Sequence, residues 1–505
     1  MTPILILSTF FAYTALLFAV TWLTARKADN ESFFLGNRNS PWYVIAYGMI
    51  GASLSGVTFM SVPGWVGTSQ FTYMVMVLGY LAGYAVIATV LMPLYYRLNL
   101  TSIYAYLEQR FGFWSYKTGA SFFLVSRIIG ASFRMFLVVN VLQLFVFDAW
   151  GMPFFLTVTL FIALILLYTF KGGIKTIIWT DTLQTTFMLL AVILSVYFIA
   201  AELNLGLSDL VWRVLHGEHS RVLVLDWHDK RFLLKQFLGG VFIAIAMTGL
   251  DQEMMQKNLS CRSLRDAQKN MFSFSFVLVI VNWLFLTLGA VLYFYADQKG
   301  VPRPQQTDDL FPVIALQHLG PVAGLVFVLG LISAAYPSAD GALTSLTTSF
   351  SIDILGLKKR ADLSEKEVAR IRQIVHFSLA VVLLGVVFVF RLVNDRAIID
   401  KLFTVAGYTY GPLLGLYAFG LFTRRQIRDH LAPFVAVVSP VICFVLSEFS
   451  QQWFGGYTFG FELLILNGIL TGTGLMLISR RAEPSTLPEC SGKPTNQEVL
   501  EGTSR

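Results

Sequence analysis

Between residues 3 and 480 of this 505-residue chain, apolar stretches of about twenty residues follow one another with little between them. A hydrocarbon core of ~30 Å takes ~20 apolar residues to cross as a helix, so each stretch has the length of a transmembrane span. Thirteen spans are expected, at 3–24, 42–67, 72–98, 118–147, 153–170, 174–202, 234–256, 270–296, 321–354, 370–391, 398–422, 431–450 and 460–479. With 56% hydrophobic residues and only 13% charged, the composition lies outside the range of soluble domains. The chain reads as an all-α polytopic membrane protein.

Orientation follows from the basic residues of the short loops, which accumulate on the cytoplasmic side. Arg26, Lys27 and Arg38, then Arg110 and Lys117, then Lys257, Arg262, Arg265 and Lys269 mark alternate loops, continued by Lys358, Lys359, Arg360, Lys366, Arg370 and Arg372 and by Arg424, Arg425 and Arg428. This pattern puts the N-terminus outside and the C-terminus in the cytoplasm, for a multi-pass protein of the cell inner (plasma) membrane. The first span lacks a basic start and a small-residue cleavage site, so it reads as an uncleaved helix.

The net charge of +7 reflects these loops and gives no sign of a nucleic-acid partner. Cys261, Cys443 and Cys490 are too scattered for a metal site or a disulfide framework. Residues 481–505 are polar and read as a disordered cytoplasmic tail. The partner implied at this point is the lipid bilayer, with no obligatory protein partner evident.

Within the spans, the informative residues are those that break the rules for lipid-facing helices. An ionised side chain at the bilayer centre costs ~2.5 to 3.5 kcal/mol on insertion scales. Arg127, Arg134, Asp181 and Asp340 stand within spans, Asp340 well inside and Asp181 close to a cytoplasmic loop, whereas Asp251 and Glu448 lie near span ends and read as charges at the membrane interface. Backbone is the second anomaly. Span two, "GMIGASLSGVTFMSVPGWVG", crowds glycines, Pro63 and the hydroxyls of Ser53, Ser55, Thr58 and Ser61 around its middle. An interruption there is tolerated only where the freed carbonyls are buried in protein or line a cavity. Span nine carries Pro337, which cannot donate to the carbonyl of Ser333. Such carbonyls and hydroxyls are hard oxygen ligands, suited to an alkali cation.

These residues resemble the sodium:solute symporter family. Gly172, Gly173, Thr180, Asp181 and Gln184 follow its GG…TD..Q pattern. "SFFLGNRNSPWY", "TSIYAYLEQRFG", "LDQEMMQKNLS" and "AGYTYGPLLGLYAFGLF" are similar to its other signatures, in the right order. The resemblance implies the inverted-repeat fold of the leucine transporter, with a 5+5 core. The first repeat would be 42–202 and the second 234–422, preceded by an additional helix within 1–25 and followed by two more within 431–480.

It also implies sites. The main sodium site carries over to Gly51 and Leu54 in span two and to Ala334, Pro337 and Ser338 in span nine, with proline departing from the family's serine at 337. A second cation site, as in a bacterial sialic acid symporter, carries over to Asp181, Asp340 and Gly341, where two carboxylates share either a proton or a cation; one or two sodium ions per cycle are implied. The sugar-binding positions of the family fall on Met247, Thr248, Leu278 and Thr404 and do not match. The sialic acid pattern does better, placing Arg134 as a carboxylate fork beside Ser53, Ser55 and Thr58, with Thr248 and Thr404 as further solute contacts.

The function expected is sodium-coupled import of a small anionic solute, sialic acid or another sugar acid, by alternating access. Alternatives are a neutral sugar or amino acid symporter and a transport-like sensor. An intramembrane aspartyl protease would need YD and GxGD contexts, which "WTDT" and "SADG" lack, so no catalytic residue and no enzyme activity are expected.

Overall fold

A computed structural model of the protein describes residues 3–24, 30–360, 362–393 and 398–480; the expected tail at 481–505 lies outside them. Apart from one short ribbon, its elements are helices, because in hydrocarbon every backbone donor and acceptor must be satisfied within the segment. In chain order they are α1 (Pro3–Thr24), α2 (Trp42–Ser69), α3 (Tyr73–Arg97), α4 (Phe113–Leu142), α5 (Phe154–Phe170), α6 (Gly173–Glu202) and α7 (Leu233–Gly249). There follow α8 (Gln252–Leu259), α9 (Leu264–Lys299), α10 (Gly320–Ile354), α11 (Glu365–Leu392), α12 (Ile398–Phe422), α13 (Asp429–Glu448) and α14 (Leu463–Leu477). The ribbon pairs β1 (Gln426–Ile427) antiparallel to β2 (Ser479–Arg480), Gln426 facing Arg480.

Among the described residues, nine of these helices are long and apolar enough to cross a bilayer, and α7 with α8 makes a tenth. The expected spans at 153–170, 398–422 and 460–479 coincide with α5, α12 and α14, which fall short of that measure, so the total of thirteen remains an expectation.

The two expected repeats open alike, each on a broken helix. In α2 the break falls at Ser55, whose backbone angles of φ 36° and ψ 172° leave the helix in the middle of the glycine-rich stretch. In span seven the break separates α7 from α8 at a bend of 65°. Gly173 separates α5 from α6 with φ 53° and ψ −148°, and a Cβ there would lie 2.5 Å from Cα of Phe33. The second glycine of the "GG" pair therefore serves both a left-handed backbone and a close approach.

The broken helices lie at the centre. Pro63 keeps its place in the second half of α2, and Pro337 its place within α10, which is buried along most of its length. On one side α1 packs against α10, where the hydroxyls of Thr14 and Tyr336 meet at 2.9 Å. On the other, α14 packs on α12, and Asn467 donates to the carbonyls of Gly407 and Tyr408 at 3.0 Å each. The additional helices are thus clamped to the core by buried polar bonds.

Candidate functional site: a cation seat, a solute cavity and a buried ionic cluster

The first component lies where α2 meets α10. Breaking α2 at Ser55 interrupts its hydrogen-bond ladder beside the carbonyls of Gly51 and Leu54. Gly56, the next residue, fits closely against α4, where a Cβ would lie 2.6 Å from Cγ2 of Val138, and is in ordinary contact with α10, 3.9 Å from the carbonyl oxygen of Ala334. Pro337 offers no N–H to the carbonyl of Ser333. Among the described residues, the hydroxyl oxygens of Ser333 and Ser338 are buried without a hydrogen-bond partner. A buried hydroxyl left unpaired costs ~1–3 kcal/mol, so these oxygens, with the neighbouring carbonyls, form a neutral donor set fitted to a small hard cation. Behind α2, the Gly51 amide donates to Oγ1 of Thr185 at 3.1 Å, which seats α2 on α6.

The second component is a cavity of about 80 Å³ beside the α2 break. Ser53, Ser55, Thr58 and Thr248 line it together with Arg127 and Arg134. Met247 and Leu278, at the positions where the sugar pattern fails, form part of its apolar wall. The two arginines share a face of α4, as their seven-residue spacing requires, but their states differ. Arg127 is paired with Glu253 and lies 3.6 Å from Asp251. Arg134 makes no ion pair among the described residues, and its Nε has no hydrogen-bond partner. A guanidinium without an ion pair has donors to offer an anionic group, which its planar fork suits.

Thr404 is not brought to this cavity. It lines a separate one, of about 270 Å³, with Trp65, Ser69, Arg231 and Gln236. Its neighbour Phe403 faces the solute cavity, and consecutive helical residues diverge by about 100°. Aromatic rings divide the two spaces: Phe461 stands 5.0 Å from Phe403 and 6.4 Å from Trp65, which in turn is 5.7 Å from Tyr73.

The third component departs most from expectation. Asp181 faces a lysine: Nζ of Lys257 lies 2.6 Å from its Oδ2, and both side chains are 1% exposed. Lys257, counted above among the basic residues of a loop, is buried, because the 65° bend carries α8 back into the protein between α6 and α10. Glu253, one turn earlier on α8, lies 3.6 Å from the same ammonium and also receives Arg127. Its carboxyl occupies the space a side chain at Gly341 would need, with Oε1 2.5 Å from the position of a Cβ.

Asp340 accepts from the Tyr168 hydroxyl and from the Gly341 amide, each at 2.6 Å. The Thr180 and Thr182 hydroxyls, on either side of Asp181, turn back onto carbonyls of their own helix. Asp251, read as an interfacial charge, is wholly buried. Its side chain caps α8 by accepting the amides of Glu253 and Met254, and it accepts the Tyr410 hydroxyl at 2.6 Å. Glu448 is exposed at the end of α13, as an interfacial residue should be.

Sequence reasoning missed Glu253, Lys257, Tyr168 and Tyr410. A signal existed in "DQEMMQK", where Glu253 and Lys257 stand four apart on one helical face. Counting Lys257 as a loop charge hid it.

A helix broken beside a neutral oxygen set, next to a cavity holding an unpaired guanidinium, defines an ion-coupled secondary transporter of the inverted-repeat, leucine-transporter type. The chain belongs to the sodium:solute symporter family, whose model matches residues 33–429. Sodium is therefore the ion it couples to its solute. It is 25% identical over 475 residues to a sodium/sialic acid symporter of Aliivibrio fischeri, covering 91% of each chain. It is 23% identical to a sodium/sialic acid symporter of Proteus mirabilis, covering 82% of this chain and 84% of that one. A sodium-coupled monocarboxylate transporter 1 of Mus musculus is 24% identical over 78% of this chain and 64% of its own length. In fold, the substrate-bound outward-open structure of a Na+-coupled sialic acid symporter superposes with a TM-score of 0.79 at 20% identity, over 95% of this chain and 99% of that one.

Proposed function

We propose that this symporter imports a small carboxylate-bearing solute, a sialic acid or a related sugar acid, and that Arg134 holds the carboxylate. The observation that carries this reading is the unpaired Arg134 guanidinium in a cavity that also presents Ser53, Ser55, Thr58 and Thr248. The fork of a guanidinium matches a carboxylate bidentately, and the hydroxyls suit a polyhydroxylated body. Three relatives named above carry sialic acid or a monocarboxylate in their names, so a carboxylate is the feature their solutes share.

On this reading sodium sits between α2 and α10, held by the carbonyls of Gly51, Leu54 and Ala334 and by the Ser338 hydroxyl. Pro337 contributes by leaving the Ser333 carbonyl free, and the unpartnered Ser333 hydroxyl supplies the oxygen that a serine at 337 would have given. The repeats are assigned to 42–202 and 234–422, with the N-terminus outside and the C-terminus in the cytoplasm of a plasma-membrane protein.

The test is thermal stabilisation of the purified protein in detergent, since a ligand that binds only the folded state raises its melting temperature. Sialic acid and other sugar acids should stabilise it, and more strongly in sodium than in potassium. Equal stabilisation by neutral hexoses would overturn the anionic reading.

A further inference from the structure

Asp181, Asp340 and Gly341 are the positions at which the family resemblance implies a second cation. Among the described residues, the cation found there belongs to the chain. The Lys257 ammonium lies 2.6 Å from Oδ2 of Asp181 and 3.6 Å from Oε1 of Glu253, and Asp340 is within electrostatic range of both Asp181 and Lys257. We infer that Lys257 is a built-in substitute for the second ion, so that the protein binds one sodium ion and not two. The inference rests on the main sodium site described under the proposed function.

Three features carry it. Charge comes first: a sodium ion on Asp181 would sit against an ammonium in a water-excluded site, where repulsion between like charges is weakly screened. Ligands come second. In the family resemblance small hydroxyls of this helix complete the second shell, but position 340 is an aspartate already bonded to Tyr168 and the Gly341 amide, while position 341 has no side chain and abuts Glu253. The third is the charge around the ammonium. Asp181 from α6, Asp340 from α10, and Asp251 and Glu253 beside and on α8 face Lys257 from α8 and the arginines of α4, so the ammonium supplies positive charge that these acids would otherwise draw from an ion. The other oxygen of Asp181, Oδ1, has no hydrogen-bond partner among the described residues, so without the ammonium both would be open to a metal ion.

The experiment is equilibrium binding of 22Na+ to the purified full-length protein without solute, which keeps it independent of solute identity. The wild-type protein should bind one ion with a Hill coefficient of 1. Lys257→Ala should bind two, and adding Asp181→Ala should return the count to one. Should Lys257→Ala fail to fold, Lys257→Gln removes the charge while keeping most of the side chain's length and is expected to behave alike. Two ions on the wild-type protein, or one on the lysine variants, would overturn the inference. Absence of binding to every protein would instead remove the main sodium site, and this inference with it.

Discussion

Lys257 on α8 and Asp181 on α6 form a fully buried ion pair at 2.6 Å, bridging two helices that belong to different expected repeats. Burying two charges costs several kcal/mol per ion, and their attraction offsets this only while both are present. Lys257→Met alone should therefore cost about 3–5 kcal/mol, seen as a lower melting temperature in potassium buffer. Sodium should restore part of it, and Asp181→Leu/Lys257→Met should restore most of it in either salt. A double variant no more stable than the single one would show that the pair is not the source of the loss.

Ser338→Ala removes the buried hydroxyl assigned to the sodium ion. A hydrogen-bonding group facing a charge contributes ~1.5–3 kcal/mol, so half-saturation by sodium should rise roughly ten- to a hundredfold. Solute affinity at saturating sodium should change little. Titration of uptake against sodium checks this, and an unchanged sodium requirement contradicts the assignment.

Arg134→Lys keeps the charge but loses the fork. Half-saturation by a carboxylate solute should rise about tenfold or more, the equivalent of one lost charge-assisted bond, while sodium binding in the absence of solute stays the same. Equal uptake by wild type and variant would take the carboxylate away from Arg134. The corresponding Arg127→Lys change should instead lower the melting temperature, because Arg127 is engaged by Glu253 and Asp251.

Gly173→Ala puts a Cβ 2.5 Å from Cα of Phe33 at a residue with φ 53°. Because the obstacle is backbone, relief requires moving the 30–35 segment or α6. The variant should lose folded protein in fluorescence-detected gel filtration, whereas Gly472→Ala, with nothing within 4 Å, should not.

Much of this architecture is written in local sequence. Span positions follow from apolar length, the interruption of span two from its glycines, and the bend at 173 from the "GG" pair. The buried ionic cluster was only half legible. Asp181, Asp340, Arg127 and Arg134 stand inside apolar runs and declare themselves by contrast, whereas Glu253 and Lys257 sit in the polar stretch after Asp251. That stretch reads as the end of a span leaving the membrane. A 65° bend returns it to the interior, and a hydropathy profile contains no information on bends. Thr404 failed for a similar reason: which side of α12 faces the solute cavity is decided by Phe403 and the helix's rotation, not by composition.

The most direct measurement of the central claim is uptake of labelled sialic acid into proteoliposomes, driven by an inward sodium gradient and compared with an equal potassium gradient. Accumulation above equilibrium is expected with sodium only, inhibited by other sugar acids and not by the methyl ester that removes the carboxylate charge. Accumulation that is indifferent to sodium, or inhibited as strongly by the ester as by the acid, would contradict it.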